Sequence, residues 1–252
     1  MPLRMMKIFG RHGRQFVPDL RRAILPPIFR GRPVISPGIP EELQHEMEDF
    51  CPVGAIAASP CRIDLGKCVF CGECSFAFPG KIRFTNDHKI AMNVREALII
   101  EEGSDHPLQL NPEKTRKVIT SFFGHALKLR QVSSGGDNSA EMELNAAGNV
   151  NFDMGRYGIE FVASPRHSDG IVITGPITSG MSAALQITYD AIPSPKIIIL
   201  AGTDAISGGI FRESRALSRD FLEKHPVDLF VPGNPPHPLT FINGILDLTG
   251  RK

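Results

Sequence analysis

Residues 170–175 have the sequence GIVITG, and residues 196–202 have the sequence KIIILAG. Both are continuous apolar runs rich in β-branched residues, which are typical of strands buried on both faces of a parallel sheet. The stretch between them, SGMSAALQITYDAIP (179–193), has helical spacing of its apolar residues and stops at a proline. This strand–helix–strand order predicts an α/β fold with an open, doubly wound parallel sheet.

The flanking sequence extends this pattern in both directions. DLFVPG (228–233) predicts a third strand, and PLTFINGILDLTG (238–250) predicts a closing helix that stops at its glycine. Upstream, a helix is expected to start near Pro112 and break at Gly124, leading into a strand over Leu127–Val132. The loops after the strands should gather at the carboxyl edge of the sheet, where such folds bind ligands.

A second pattern lies in the first third of the chain. Cys51 precedes Pro52, and CVFCGEC places three more thiols at two-residue spacings, Cys68, Cys71 and Cys74. In two-cluster ferredoxins the run is C-x₂-C-x₂-C-x₃-C-P, used twice, with the fourth Cys of each run ligating the other cluster. Here one complete ligand set survives, and the other would need Cys at Glu41, Gln44, Met47 and Phe78.

This spacing predicts one [4Fe–4S] cluster held by Cys51, Cys68, Cys71 and Cys74. Structural zinc is less favoured, because it prefers two C-x₂-C pairs or Cys/His pairs, and a loop that has lost its cluster is a further alternative. Cys61 lies outside this pattern and is expected to be a buried thiol. Thiolates that hold iron must stay reduced, which indicates a cytosolic compartment.

Charge is balanced over the chain, with 28 Lys and Arg against 27 Asp and Glu. The composition therefore gives no sign of nucleic-acid binding, and neither a membrane span nor a signal peptide is expected. The N-terminus forms a basic head opposed only by Asp19, for which we expect an extended arm on an acidic partner or near lipid headgroups, with a solvated tail as the alternative. Its basic residues are Arg4, Lys7, Arg11, Arg14, Arg21, Arg22, Arg30 and Arg32.

The chain is expected to divide into four parts. Residues 1–25 form the basic arm, 26–92 a small ferredoxin-like [4Fe–4S] domain, 93–122 a linker and helix, and 123–252 the α/β domain. Within the second part, KIRFTNDHKIAM (81–92) predicts a β-hairpin with its turn near Asn86 and Asp87.

Several stretches of the last part carry a resemblance to a known family. They are FGHALKLRQV (123–132), FDMGRYGIEFVASPRHSDGIVITGPIT (152–178), AGTDAISGGIF (201–211) and DLFVPGNPPHPLTFINGIL (228–246). The chain here resembles the small, cluster-carrying subunit shared by respiratory complex I and energy-converting membrane-bound [NiFe] hydrogenases. The N-terminal part resembles the ferredoxin-like subunit of the same complexes, so the whole chain resembles a fusion of the two. The resemblance implies a flavodoxin-like sheet.

The resemblance also assigns a terminal [4Fe–4S] cluster to four positions, which here are Asp137, Ala140, Asp204 and Asn234. None is a thiol, so we expect this cluster to be absent. The substituted pocket could be filled by hydrogen bonds, hold a hard cation, or contain a proton-handling carboxylate pair.

Three further residues have two interpretations each. Glu141 lies by resemblance near the proton or quinone path, and alternatively pairs with Arg156 or Arg166. His167 and His237 could be acid–base groups, but we expect them to be structural.

The resulting functional prediction is an electron-transfer or accessory subunit of a membrane-bound, complex-I-like or hydrogenase-related oxidoreductase. It carries one [4Fe–4S] cluster, lacks the terminal cluster and has no catalytic residue of its own. The expected partners are a large subunit and integral membrane subunits, with no nucleic acid and no small-molecule substrate. The chain would lie on the cytoplasmic, inner face of the membrane through its partners. The alternative is a scaffold subunit of an ion-translocating complex with a purely structural cluster.

Overall fold

The structure is a computed structural model that describes residues 2–13 and 15–251, apart from the side chains of Pro2, Leu3 and His12. Arg14, one of the basic residues of the head, therefore lies outside the described residues. The strands are β1 (Pro33–Ile35), β2 (Ile56–Ala57), β3 (Arg62–Asp64), β4 (Ile82–Phe84), β5 (Ile99–Glu101), β6 (Leu127–Ser133), β7 (Ile159–Phe161), β8 (Gly170–Thr174), β9 (Ile197–Ala201) and β10 (Leu229–Val231). The helices are α1 (Pro2–His12), α2 (Glu41–Phe50), α3 (Glu73–Ala77), α4 (Lys117–Phe122), α5 (Ser139–Ala147), α6 (Ser179–Asp190), α7 (Thr203–Ser207), α8 (Asp220–Lys224) and α9 (Pro238–Leu248).

The last five strands form one parallel sheet in the order β10-β9-β8-β6-β7. This is the strand order 2-1-3-4-5 of flavodoxin-like folds, in which the connections reverse direction between the first and third strands. The predicted parallel sheet is thus confirmed, and β6 and β8 flank its switch point. The edge strand β7 was not expected, since three residues after Gly158 are too short to show a periodic pattern.

Each face of this sheet is covered by a separate hydrophobic core. Side chains alternate along β8, so Ile171 and Ile173 face one core while Val172 faces the other. The core around Val172 contains residues of α4, α5 and α9. The opposite core contains residues of α6, α7 and α8 and continues into the cysteine-bearing part of the chain.

The cysteine-bearing part is built from two similar halves, β1-α2-β2 and β3-α3-β4. Strand β1 pairs antiparallel with β4, and β3 pairs antiparallel with both β2 and β5. The hairpin predicted over residues 81–92 is wrong, because β4 finds its partner in β1 rather than in the residues that follow. Residues 88–92 turn instead toward the large sheet, where Met92 forms a bridge with Phe230.

The predicted helix from Pro112 to Gly124 is present only in part. A 3-10 turn covers Pro112–Lys114, and α4 starts later, at Lys117. Asn111 caps the turn, since its side chain accepts a hydrogen bond from the Glu113 N–H at 2.9 Å. The chain therefore restarts rather than continuing as one helix.

The basic head differs from the extended arm that we expected. Residues 2–12 form α1, in which Gly10 is tolerated at a cost of about 1 kcal/mol. The following segment lies on this chain itself: Leu20 is fully buried, and its carbonyl accepts a hydrogen bond from Asn243 Nδ2 at 3.0 Å. Arg21 pairs with Asp247 near the end of α9.

Candidate functional site

The four cysteines of the predicted cluster line one pocket. Cys51 follows directly after α2, Cys68 and Cys71 lie in the loop before α3, and Cys74 lies in α3. Cys61 is fully buried and does not line this pocket. The structure thus brings together the four residues that the spacing grouped and leaves out the one that it excluded.

The lining of this pocket is otherwise apolar. Besides the cysteines it consists of Phe50, Pro52, Val53, Ala55, Ile56, Ile63, Val69, Gly72 and Phe84. Burial raises the pKa of the Cys68 thiol to about 12 and that of Cys74 to about 11. None of the described residues that line the pocket is basic, so burial favours the neutral thiols, and a bound metal would supply the positive charge that stabilises thiolates.

Main-chain N–H groups point at two of these sulfur atoms. The Ala55 N–H donates to Cys51 Sγ at 3.2 Å, and the Phe70 N–H donates to Cys68 Sγ at 3.4 Å. Hydrogen bonds to ligand sulfurs help set the potential of iron–sulfur clusters. Left-handed turns at Phe70 (φ 54°) and Gly72 (φ 82°) shape this loop.

The four thiols are not arranged to ligate a single metal ion. Among the described residues, no three His, Cys, Asp or Glu side chains are grouped so as to hold a single metal ion. The pocket itself has a free volume of about 20 Å³, because the side chains occupy most of it. The donor set of four cysteines fits a [4Fe–4S] cluster in ligand chemistry.

A second pocket lies at the carboxyl edge of the large sheet, next to the switch point. It is lined by all four positions at which the resemblance places the terminal cluster, namely Asp137, Ala140, Asp204 and Asn234. Its volume is only about 10 Å³, close to the space of one water molecule. The described side chains therefore fill this pocket almost completely.

The two carboxylates of this pocket have different environments. Asp137 Oδ1 accepts hydrogen bonds from the Ser139 N–H at 2.9 Å and hydroxyl at 2.6 Å, which lowers the pKa of Asp137. Asp204 is buried, and its Oδ1 has no hydrogen-bond partner among the described residues. Burial raises the pKa of Asp204 to about 6, with smaller contributions from the charges of Asp137 and Glu141.

Glu141 also lines this pocket, in the first turn of α5. Its Oε1 accepts a hydrogen bond from Thr174 Oγ1 at 2.5 Å. The pairing with Arg156 or Arg166 that we considered is not found. Arg156 instead donates to the Val17 carbonyl, and Arg166 is exposed.

His237 has a structural role. Its Nδ1 accepts a hydrogen bond from the Leu239 N–H at 3.1 Å and so caps α9. Its ring also packs edge-on against Phe29 and Phe152, and burial lowers its pKa to about 4. His167 lies exposed in a short 3-10 turn.

Two links between the pockets were not visible in the sequence. Thr203, adjacent to Asp204, donates its hydroxyl hydrogen to the Cys68 carbonyl at 2.9 Å. A groove of about 280 Å³ is lined by Cys71 from the first pocket and by Asn234 from the second. No local motif predicts these contacts, because they join residues that are more than 130 positions apart in the sequence.

The strand order defines a flavodoxin-like α/β domain, with this edge pocket at its switch point. The family model for the NADH ubiquinone oxidoreductase 20 kDa subunit matches residues 138–248. The probable membrane-bound hydrogenase subunit mbhJ of Pyrococcus furiosus is 34% identical over 134 residues, which covers 53% of this chain and 80% of that protein. The chain therefore belongs to the 20 kDa subunit family.

Two other proteins show the extent of the match. An NADH-quinone oxidoreductase subunit of Heliobacterium modesticaldum is 41% identical over 111 residues, which is 44% of this chain and 63% of that protein. The chain thus spans less than two thirds of that relative. A chain of the membrane-bound sulfane sulfur reductase, an archaeal respiratory membrane complex, is 27% identical with a TM-score of 0.45, covering 50% of this chain and 70% of that one.

The relatives named above are subunits of complex-I-like and membrane-bound hydrogenase complexes, which supports membership of the oxidoreductase and hydrogenase-related class. Within the part of the chain that the structure describes, no helix has the length and apolar character needed to cross a bilayer.

Proposed function

We propose that this chain is an electron-transfer or accessory subunit of a membrane-bound, complex-I-like or hydrogenase-related oxidoreductase. It carries one [4Fe–4S] cluster on Cys51, Cys68, Cys71 and Cys74. The observation that carries this proposal is that these four thiols share one apolar pocket, into which two main-chain N–H groups point. When bound, the cluster would accept and release one electron.

The terminal cluster of the family is absent in this proposal. Asp137, Ala140, Asp204 and Asn234 supply no sulfur, and iron–sulfur clusters require thiolate or, in some cases, imidazole ligands. Hydrogen bonds at Asp137 and Glu141 support the interpretation that the pocket is filled by its own side chains. Electrons that reach the first cluster would then lack the usual route onward through this domain.

The chain combines two functional units in this proposal. The two strand–helix–strand halves of the cysteine-bearing part support a ferredoxin-like domain over residues 26–92. Residues 1–25 are an N-terminal arm, residues 93–122 a connecting segment, and residues 123–252 the α/β domain of the family. The hydrophobic core that both parts share supports a fixed arrangement of the two units.

The partners would be a hydrogenase-like or complex-I-like large subunit and integral membrane subunits of the same complex. The relatives support this, since they are subunits of a membrane-bound hydrogenase and of an NADH-quinone oxidoreductase. The chain would then lie on the cytoplasmic face of the membrane. Nucleic acid and a small-molecule substrate are not part of the proposal.

A structural scaffold is the second candidate. In that case the cluster would only stabilise the loop around Cys68, and the hydrogen bond from Thr203 attaches this loop to the α/β domain. Such a cluster would not exchange electrons with reductants on the timescale of turnover.

The test is anaerobic quantification of iron and sulfide in the purified chain, with EPR of the dithionite-reduced sample. About four irons and one S = ½ signal are expected. About eight irons would show that the substituted pocket binds a cluster, and an intact fold without iron would contradict the cluster altogether. Four irons that dithionite cannot reduce would favour the scaffold.

A further inference from the structure

The N-terminal helix α1 projects a basic, apolar surface that the described part of this chain does not cover. We propose that this helix lies in the headgroup region of an anionic lipid bilayer, so that the chain contacts the membrane directly as well as through partner subunits.

The two faces of α1 are chemically distinct. Arg4, Lys7 and Arg11 follow the i, i+3, i+7 spacing that places side chains on one helix face. At about 100° per residue, the exposed apolar side chains then follow around the rest of the helix in the order Ile8, Met5, Phe9 and Met6. A basic arc beside an apolar arc is the pattern of helices that lie in the membrane interface.

Both faces are open to solvent. Met6 and Phe9 are 69% and 67% exposed, and Met5 and Ile8 are about half exposed. Seven of the 15 exposed large hydrophobic side chains of the described chain fall within its first 28 residues. Large apolar side chains concentrated in this way mark a surface that something else covers.

The charges of α1 are also uncompensated. No ion pair forms at Arg4, Lys7 or Arg11 with any residue in the ranges that the structure describes, and Asp19 instead faces Arg22 at 3.6 Å. No acidic residue occurs from residue 2 to residue 18. A helix with charges of one sign is complementary to a uniformly anionic membrane surface. Each Lys or Arg near such a surface strengthens binding about fivefold.

The length of the helix decides how it would sit. Eleven residues are too few to cross a bilayer, for which about 20 are needed. The helix would instead lie parallel to the surface, with Met5, Ile8 and Phe9 among the acyl chains. Its cationic side chains would reach the lipid phosphates beside it.

An acidic groove on a protein partner is the competing occupant. The observations favour lipid, because the apolar arc is broad, includes two flexible methionines and is bordered by cations with no acidic residue to set a register. Docking in a protein groove relies on apolar anchors at fixed spacing and on complementary charges that fix the register, whereas a uniformly anionic lipid surface requires neither.

The test is flotation of the purified full chain with vesicles of phosphatidylcholine alone or mixed with phosphatidylglycerol. Wild type should float with the anionic vesicles and lose binding as salt is raised. The variant Arg4→Gln/Lys7→Gln/Arg11→Gln should bind about 100-fold more weakly, from about fivefold per charge. The variant Ile8→Ser/Phe9→Ser should lose vesicle binding whatever the charge of the lipids.

Matched controls sit elsewhere on the surface. Ile187→Ser, in α6, and Lys224→Gln, in α8, also change an exposed apolar and an exposed basic residue. Both should bind as wild type does, and all variants should retain wild-type iron, which separates this test from the test of the cluster.

Two results would overturn the proposal. One is a wild-type chain that does not bind anionic vesicles. If, in addition, the Arg4→Gln/Lys7→Gln/Arg11→Gln variant failed to assemble with partner subunits, α1 would be assigned to a protein groove. The other is undiminished vesicle binding by both α1 variants.

Discussion

The hydroxyl of Thr203 donates to the main-chain carbonyl of Cys68 at 2.9 Å, and both residues are buried. This contact ties the cysteine loop to the first turn of α7, one residue before Asp204. This one contact therefore helps to position both Cys68, a proposed iron ligand, and Asp204, which occupies a substituted ligand position of the family.

Replacing Thr203 by Val tests this contact. The substitution keeps the side-chain shape but leaves the Cys68 carbonyl without its donor, which should cost about 1–2 kcal/mol of unfolding free energy. Chemical denaturation and the rate of iron release to a chelator should both show the change. Thr188→Val is the matched control, since that hydroxyl bonds only within α6, and an equal loss there would contradict the assignment.

The cysteine assignment predicts a clear division among the five thiols. Changing Cys51, Cys68, Cys71 or Cys74 to Ala should each abolish stable binding of the four irons, because a cubane corner loses its ligand. Cys61→Ala should retain about four irons per chain. The measurement is the iron and sulfide content per chain. Loss of iron in the Cys61 variant with an intact fold would mean that the assigned ligand set is wrong.

The loop that leads to Cys68 is held by an ion pair. Arg95 forms two hydrogen bonds with Asp64, at 2.7 and 2.8 Å, and the Asp64 carbonyl accepts from the Cys68 N–H at 2.9 Å. Arg95→Met should therefore destabilise the chain by about 2 kcal/mol and speed iron loss.

The control for this pair is Lys128→Met, which removes an exposed pair with Glu160 and should cost less than about 1 kcal/mol. Equal effects of the two substitutions on thermal unfolding would show that the Arg95 pair has no special role.

Asp204 should make stability depend on pH. Its folded pKa is raised to about 6 from 3.8, so the folded state binds its proton more tightly. The associated stability is fully present below pH 3.8 and is lost as the pH rises through 6. Asp204→Asn should remove this slope and be more stable at pH 7.5, by at most about 3 kcal/mol.

Thermal unfolding from pH 4 to 8 measures the slope. Asp137→Asn provides a second arm, because removing that charge should move the wild-type transition to lower pH by lowering the pKa of Asp204. An Asp204→Asn profile that parallels wild type would show that this carboxyl does not titrate in the range.

The sheet was predictable because its strands can be recognised from their local sequence. β8 and β9 are five-residue apolar runs, and α6 and α9 end at proline and glycine signals. β7 was missed because three residues at a sheet edge carry no period. The hairpin after β4 was wrong because β4 pairs with a strand about 50 residues earlier, and residues 88–92 pack on the large sheet.

The candidate sites divide in the same way. The ferredoxin-like spacing alone grouped Cys51, Cys68, Cys71 and Cys74, and the fold places these four in one pocket. The environment of Asp204 depends on burial, which no local pattern reports. The partner of Glu141 is Thr174, at the end of β8, and that contact exists only once the sheet has formed.

The core that runs without interruption from Met47 and Ile63 to Ile171 and Leu200 has a mechanical consequence. A tethered carrier protein delivers its cargo by swinging between two docking points on a flexible hinge. In the part of the chain that the structure describes, side chains of both units share one apolar core, so parting them would expose that apolar surface to water. Whatever the cysteine pocket carries is therefore held at one fixed distance from the carboxyl edge of the sheet.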